Sequence, residues 1–256
     1  MNFKTILRAG LFVFALSLVS CASRKDIAYL QNVDAVTTQN GVANYEPKLQ
    51  NDDLLSIIVS ADQPELTIPF NMPQIQGNYQ INENQDGIKT YLIDAYGYIE
   101  FPVIGKIKLA GLTRSEAIAK LHGEVKEYIT NPTINLRILN YKISVLGEVV
   151  RPGTFKISSE RITLLEALGM AGDLTIYGKR DNILLIREVE GKMTYNRVDV
   201  TQADFINSPY YFLKQNDVLV VEPNKTRVNA SAVGPNAPVI ISSLSLLTTI
   251  IVLLVR

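Results

Sequence analysis

An apolar run without a charged residue extends from Val239 to Val255, and Arg256 follows it. As an α-helix this run would be about 25 Å long, at about 1.5 Å per residue. That length is short for a typical bilayer core of about 30 Å and suits a thinner one, such as that of the bacterial outer membrane. The run predicts a C-terminal transmembrane helix over residues 239–256, so the rest of the chain has to fold outside the membrane.

The polar side chains of this run lie on one side of the predicted helix. At about 100° per residue, Ser242, Ser245, Thr249 and Arg256 fall within an arc of roughly 60°. Two interpretations are open. In the first, the helix is a single-pass anchor whose hydroxyl groups bond back to its own carbonyl oxygens. In the second, a ring of identical helices encloses water, and these four residues are candidate pore-lining residues.

The other apolar segment lies at the N-terminal end. Lys4 and Arg8 precede the apolar stretch Ala9–Leu18, and the small residue Ser20 follows it, which is typical of a secretory signal peptide over residues 1–20. The ending LVSC resembles the bacterial lipobox, in which the cysteine, here Cys21, becomes the lipidated first residue of the mature protein. The alternative is an ordinary cleaved signal followed by a cysteine without a disulfide partner.

The chain between these ends has a balanced charge. The full sequence contains 25 basic and 25 acidic residues, and cleavage before Cys21 removes Lys4 and Arg8, which gives a mature charge of 23 − 25 = −2. No basic cluster favours nucleic acid, so none is expected as a partner. Residues 21–44 are polar and predict a lipid-attached tether, residues 45–224 are long enough for two small domains, and residues 225–238 predict a linker.

Two similar helix-start signals organise the central part. Thr113 and Glu116 form one capping box, and Thr163 and Glu166 form another. The segment DAYG at 94–97 predicts a hairpin between strands at 91–93 and 98–101. The order of strand, turn, strand, short helix and further strands predicts an α+β fold rather than a βαβ repeat. The other predicted strands are 54–60, 133–139, 143–146, 154–157, 182–188, 195–200 and 218–222.

Catalytic chemistry has little support in the sequence. His122 is the single histidine, and no nucleophile motif accompanies it. The adjacent carboxylates Asp52 and Asp53 are interpreted as turn residues before the strand at 54–60. One histidine and one cysteine do not make a usual zinc site, and a glycine-rich phosphate loop is absent from the sequence. We therefore predict no enzymatic activity, no metal and no cofactor.

Several runs together resemble one family. In the first half they are YIEFPVIGKIKLAGLT at 98–113, Glu116-Ala117, Tyr128 and NPTI at 131–134; in the second half they are VLGEV at 145–149, RPGTF at 151–155, TLLEA at 163–167, Ala171-Gly172, Arg187 and NDVLVV at 216–221. These runs are similar to the outer-membrane polysaccharide export lipoproteins (Wza-like). The first set resembles their polysaccharide export domain, and the second resembles the soluble-ligand-binding β-grasp (SLBB) domain that follows it.

The resemblance implies the following organisation and function. Residues 45–140 would form the polysaccharide export domain and residues 141–224 the β-grasp domain, both in the periplasm, with the chain lipid-anchored in the outer membrane. The C-terminal helices would assemble into an α-helical barrel, as an octamer by resemblance. The protein would act as a passive, oligomeric channel for a capsule or exopolysaccharide. Its partner in the inner membrane would be a polysaccharide co-polymerase or a tyrosine-kinase-type protein.

A different interpretation has no pore. The chain could be a membrane-anchored periplasmic scaffold or a glycan-binding protein of a polysaccharide assembly complex. The two hypotheses differ in the role of the last helix, because only a pore requires the stripe of Ser242, Ser245 and Thr249 to face water.

Overall fold

The computed structural model describes residues 27–35, 45–71, 90–189, 191–233 and 237–254. Helices and strands alternate irregularly, which confirms the α+β class predicted from the sequence. The buried apolar side chains form two separate clusters. The first unit contains one cluster within residues 49–136, and the second unit contains the other within residues 141–221.

The first unit is a small antiparallel sheet with a helix and a separate hairpin. Strands β1 (Leu54–Ser60), β2 (Thr90–Leu92) and β5 (Thr133–Ile138) form the sheet in the order β2-β1-β5. Strands β3 (Tyr98–Phe101) and β4 (Gly105–Lys108) form the hairpin. Helix α1 (Ile68–Asn71) is a single turn, and α2 (Arg114–Val125) contacts β5.

Helix α2 begins where the capping box predicts. The hydroxyl of Thr113 accepts the Glu116 N–H, and the Glu116 carboxylate accepts the Thr113 N–H. Ala117, Leu121 and Val125 are spaced at four residues, so they share one face of the helix and are fully buried against the sheet. Two donors that a helix start leaves unpaired are thus satisfied without tertiary contacts.

The turn at residues 94–97 forms as predicted, but the strands on its two sides pair with other strands and not with each other. The turn forms, since the Asp94 N–H donates to the Tyr98 carbonyl oxygen at 2.8 Å. However, β2 pairs with β1, and β3 pairs with β4. The prediction of the turn is confirmed, and the prediction that its two flanking strands pair is wrong.

The second unit is a five-stranded mixed sheet covered on one face by a short helix. The strands of this unit are β6 (Lys142–Gly147), β7 (Gly153–Lys156), β8 (Ile162–Thr163), β9 (Ile183–Val189), β10 (Lys192–Val198), β11 (Phe212–Leu213) and β12 (Val218–Val221). The strand order in the sheet is β10-β9-β12-β6-β7, only β12 and β6 run parallel, and β8 and β11 pair beside the sheet. Helix α3 (Leu164–Met170) follows the second capping box and buries Leu164, Ala167 and Leu168 in the core.

Side chains hold the two units together. Asn140 lies at the junction: its Nδ2 donates to the Asp52 carbonyl oxygen at 2.8 Å, and its Oδ1 accepts the Leu54 N–H at 2.9 Å. The rings of Tyr45 and Phe212 stack with centroids 4.5 Å apart and planes 11° from parallel. The first unit therefore contacts the second through its entering segment and through its exit.

Residues 27–35 pack on the second unit. The Leu30 and Gln31 N–H groups donate to the carbonyl oxygens of Val200 and Thr201 at 3.2 and 2.7 Å. The side chains of Tyr29 and Leu30 pack against the second cluster. The prediction of a polar tether over residues 21–44 did not include these contacts.

Two helices follow the second unit. Helix α4 spans Lys225–Val233 and α5 spans Ala237–Leu254. Within the described ranges, the structure has no helix that is both long and apolar enough to cross a membrane. The prediction of a transmembrane helix over residues 239–256 is corrected accordingly: a helix forms over Ala237–Leu254, and it does not meet this combined requirement of length and apolar character.

Candidate functional site

Three of the four candidate pore-lining residues lie on helix α5. Ser242, Ser245 and Thr249 are exposed. The spacing of three and four residues places them on one face of the helix. Arg256, the fourth candidate, lies outside the described residues. The structure therefore provides the face that the sequence predicted, without testing what that face contacts.

The hydroxyl groups of α5 bond to its own backbone. Ser242 donates to the Val239 carbonyl oxygen at 3.0 Å, and Thr249 donates to the Ser245 carbonyl oxygen at 2.8 Å. Ser243, which lies outside the stripe, makes an equivalent bond to the Ile240 carbonyl oxygen at 2.9 Å. Because hydroxyls on and off the stripe behave alike, these bonds do not distinguish a pore-lining face from an anchoring helix.

Outside the stripe, helix α5 presents mostly apolar side chains to solvent. An isolated helix with this surface is not stable in water, because its apolar area is not removed from the solvent. It requires lipid or other protein segments around it. The exposed apolar side chains are Val239, Ile240, Ile241, Leu244, Leu246, Leu247, Ile250 and Leu253.

Cys21, the predicted lipidation site, lies outside the described residues. The first described segment begins at Ile27, six positions later. Tyr29 ties this segment to the second unit: its hydroxyl donates to Asp173 Oδ1 at 2.5 Å, and the Arg180 guanidinium lies 5.4 Å from its ring centroid. Burial and the neighbouring Asp173 carboxylate raise the pKa of Tyr29 above its usual value, so Tyr29 stays a donor.

A surface groove of about 300 Å³ lies beside the hairpin of the first unit. This volume is at the lower end of the roughly 300–1,000 Å³ of small-molecule sites. A groove of this volume has room for a small molecule. Its lining residues are Thr90, Tyr91, Leu92, Asp94, Tyr98, Ile99, Glu100 and Lys106.

The most polar buried site of the second unit is an ion pair. Arg187 Nη2 lies 2.6 Å from Asp217 Oδ2, and Arg187 Nε lies 3.0 Å from Asp217 Oδ1. The guanidinium also donates to the Phe212 carbonyl oxygen at 2.9 Å, and the Lys214 N–H donates to Asp217 Oδ2 at 2.7 Å. Since almost every polar atom is paired within the protein, the pair fixes the loop before β12 and leaves no free group for catalysis.

The residues considered for catalysis or metal binding have structural positions in the described part of the chain. His122 lies within α2, and its carbonyl oxygen accepts the Lys126 N–H at 2.9 Å. Among the described residues, no group of three or more His, Cys, Asp or Glu side chains could hold a metal ion. Asp52 and Asp53 form the turn before β1, with Asp52 at φ 66°, as the sequence predicted.

These features define a protein of two tandem α+β units, with an N-terminal segment docked on the second unit and an apolar helix after it. Residues 42–139 match the family described as "Polysaccharide biosynthesis/export protein", and residues 142–196 match the SLBB domain. The chain belongs to this polysaccharide export family, as the resemblance predicted. It is an export-family protein and not an enzyme.

Two relatives carry descriptive names. The EPS I polysaccharide export outer membrane protein EpsA of Ralstonia solanacearum is 30% identical over 198 residues, which cover 74% of this chain and 52% of the relative. The protein of the same name from Ralstonia nicotianae is 29% identical over 198 residues, with 74% and 51% covered. The chain spans about half the length of these curated relatives.

The residues that sequence reasoning missed are those that dock the N-terminal segment. Tyr29 and Asp173 are 144 positions apart, and the motif around each is ordinary. The one available signal was the sequence AYL at 28–30, an aromatic and an aliphatic residue within a polar segment. That signal indicates burial against something without indicating the partner.

Proposed function

We propose that this chain is a component of a polysaccharide export apparatus in the bacterial outer membrane, where several copies form a passive conduit for a capsule polysaccharide or exopolysaccharide. The observation that carries the proposal is the tandem of an export domain and an SLBB domain, at residues 42–139 and 142–196. The names of the two relatives, both outer-membrane export proteins, support the same function and location.

The proposed anchor is lipid on Cys21. The signal-like residues 1–20 and the LVSC sequence support it. The two structured units would then lie in the periplasm, with the domains at residues 45–140 and 141–224. An inner-membrane co-polymerase or a tyrosine-kinase-type partner would deliver the polymer, because the sequence contains no nucleotide-binding loop that could supply energy.

Several copies are proposed because the described part of one chain provides a surface groove of about 300 Å³ and no enclosed path for a polymer. Two apolar surfaces are available for assembly. One is α5, and the other is the outer sheet face, which the short helix α3 does not cover. The outer sheet face consists of Leu146, Leu184, Ile186, Tyr195, Val218 and Val220, which occupy neighbouring register positions on four strands.

The geometry of a helical ring sets the size of such a conduit. Helices packed about 10 Å apart in a ring of eight have a circumference of about 80 Å and a mean diameter of about 25 Å. Subtracting a helix radius of about 5 Å on each side leaves about 15 Å, which passes a single polysaccharide strand. In this arrangement Ser242, Ser245 and Thr249 face the lumen, and the aliphatic side chains contact neighbouring copies.

A scaffold without a pore is the second candidate. The hydroxyls of α5 bond to its own backbone both on and off the stripe, which a helix without a water-facing side also shows. In this case the two units would hold glycan or a partner protein, and α5 would only pack against other apolar surfaces.

The experiment that separates the two is a pair of leucine substitutions on the stripe. The Ser245→Leu/Thr249→Leu variant keeps the helix apolar and replaces two hydroxyls that would line the lumen. A conduit predicts loss of surface polysaccharide at normal protein level, measured by polysaccharide immunoblot of intact cells. Ser243→Leu, on the other side of α5, is the matched control and should export normally. Normal export by the double variant would favour the scaffold.

A further inference from the structure

The segments before and after the folded units leave the second unit at the same end of its sheet. The strands β6 and β12 run parallel and both end there, at Gly147 and Val221. The loop over residues 172–180 covers this end. Tyr29 docks on Asp173 and Arg180 of that loop, so the chain arrives there from Cys21.

Helix α4, which follows β12, starts against the same loop. The Asn224 N–H donates to the Tyr177 carbonyl oxygen at 2.7 Å. The Arg227 guanidinium lies 5.5 Å from the Tyr177 ring centroid, and Arg227 Nε lies 3.2 Å from Glu148 Oε1. These contacts hold the start of α4 on the same loop that Tyr29 docks on. Helix α4 is followed by the apolar helix α5.

An exposed apolar surface lies at this point. We call it the rim, and it consists of Val150, Met170, Ile176 and Tyr177, which are 61%, 37%, 59% and 37% exposed. The Val150 N–H donates to the Asp173 carbonyl oxygen at 3.0 Å, so the loops that carry Val150 and Ile176 lie side by side. Aliphatic side chains at adjacent loop tips gain free energy only when another apolar phase covers them.

The charges around the rim favour a lipid surface. Arg151, Lys225 and Arg227 are exposed beside it. The neighbouring carboxylates are already engaged: Glu148 accepts the Thr175 hydroxyl at 2.8 Å and pairs with Arg227, and Asp173 accepts the Tyr29 hydroxyl. Arg227 is therefore partly neutralised, and Arg151 and Lys225 are the cations left to meet phosphate groups. Cations around exposed aliphatic and aromatic side chains are the pattern of interfacial membrane contacts, where they meet phosphate groups.

We propose that the rim rests on the bilayer that holds the acyl chains of Cys21. Tyr29 lies eight positions after Cys21, and an extended chain over eight positions spans at most about 28 Å. The lipid anchor therefore keeps the rim close to the headgroups and sets the orientation of the second unit. The inference rests on the acylation of Cys21 proposed above and does not require that the protein forms a pore.

The test measures how close the rim is to lipid. Cys21 is the only cysteine, so in the acylated full-length protein an Ile176→Cys substitution creates a single reactive thiol. The thiol is labelled with a fluorophore, and the protein is placed in nanodiscs containing anionic lipid and a lipid spin-labelled near its headgroup. We expect the spin label to quench this fluorophore several-fold more strongly than one at the control position.

The control is Met193→Cys on β10, which is 53% exposed. It pairs with Glu188 at the opposite end of the sheet, five residues along the strand from Val198, which is about 17 Å. Equal quenching at the two positions would overturn the proposal. Burial of the Ile176 probe in detergent as well as in nanodiscs would also overturn it, because a second copy of the chain would then cover the rim. Recovery of the protein without acyl chains, seen by mass spectrometry, would overturn it as well, whereas failed export alone would not.

Discussion

Because the carboxyl of Asp53 is buried, we expect the first unit to lose stability as the pH rises towards neutrality. This carboxyl is 1% exposed at the start of β1. Its Oδ2 accepts the Gln50 N–H at 2.7 Å, while its Oδ1 has no hydrogen-bond partner among the described residues. Burial raises the pKa of Asp53 from 3.8 to about 6; the Gln50 amide opposes this shift and the Asp52 carboxylate adds to it.

The direction of this pH dependence follows from the number of protons that the folded and unfolded states bind. Because the folded pKa lies above the unfolded one, the folded state binds more protons than the unfolded state between pH 3.8 and about 6. The stabilisation is therefore present below pH 3.8 and is lost as the pH rises through about 6. The gap of about 2.2 pKa units corresponds to about 3 kcal/mol, at about 1.36 kcal/mol per unit.

The variant Asp53→Asn removes the charge and keeps an oxygen that can accept the Gln50 N–H. The free energy of unfolding of the variant relative to the unaltered protein should rise towards about 3 kcal/mol between pH 3.5 and 7. Urea unfolding of the detergent-solubilised chain, followed by circular dichroism, measures it. Asp62→Asn, at an exposed carboxylate after β1, is the control. A difference between Asp53→Asn and the unaltered protein that does not change with pH would refute the reasoning.

Two further predictions concern the second unit. Gly147 has φ 90°, and a Cβ there would lie 2.1 Å from the Val221 carbonyl oxygen. Gly147→Ala should therefore lower the free energy of unfolding by at least about 3 kcal/mol, as measured by thermal unfolding. Gly153→Ala, with no atom within 4 Å of the added Cβ, is the control, and an equal loss of stability in the two variants would contradict this account. Arg187→Leu leaves Asp217 buried without its partner and should cost about 3–5 kcal/mol, whereas Arg187→Leu/Asp217→Leu should cost clearly less. Additive losses in the double-mutant cycle would show that the two charges do not act as a pair.

The sequence predicted best those features that depend on neighbours along the chain. Thr113 with Glu116, and Thr163 with Glu166, start helices in the structure as expected, because a capping box is satisfied within four residues. The strand over Leu54–Ser60 was also predicted with the bounds that the structure shows. Local hydrogen bonding and β-branched residues favour these elements independently of tertiary contacts.

Strand pairing was less predictable because it depends on distant residues. The turn after Asp94 has the residues of a hairpin, yet β1 is the partner of β2. The β1 strand lies more than thirty residues before β2 in the sequence. No local sequence pattern around β2 indicates that β1 is its hydrogen-bonding partner. The docking of Tyr29 on Asp173 was missed for the same reason.

The sequence predicted which residues of the candidate site share a helix face, and it did not predict what surrounds that face. The periodicity of α5 placed Ser242, Ser245 and Thr249 on one face, and a helix over these residues is present. What surrounds that face depends on lipid and on other copies of the chain. A single sequence carries no direct signal for either, so the pore-lining role of these residues stays a prediction.

A conduit built from copies of this chain also depends on the junction between its two units. If the first units and the second units form stacked rings, each copy must keep its two units in a fixed relation, since free rotation in any one copy would misalign both rings. Asn140 bonds to the first unit through its side chain, and its carbonyl oxygen accepts Gln215 Nε2 of the second unit at 2.8 Å. The aromatic side chains of Tyr45 and Phe212, which stack on each other, form a second contact between the units, away from the covalent link. Two separate contacts restrict rotation where a single flexible link would permit it, so the junction is suited to a protein that acts as a rigid segment of a larger assembly.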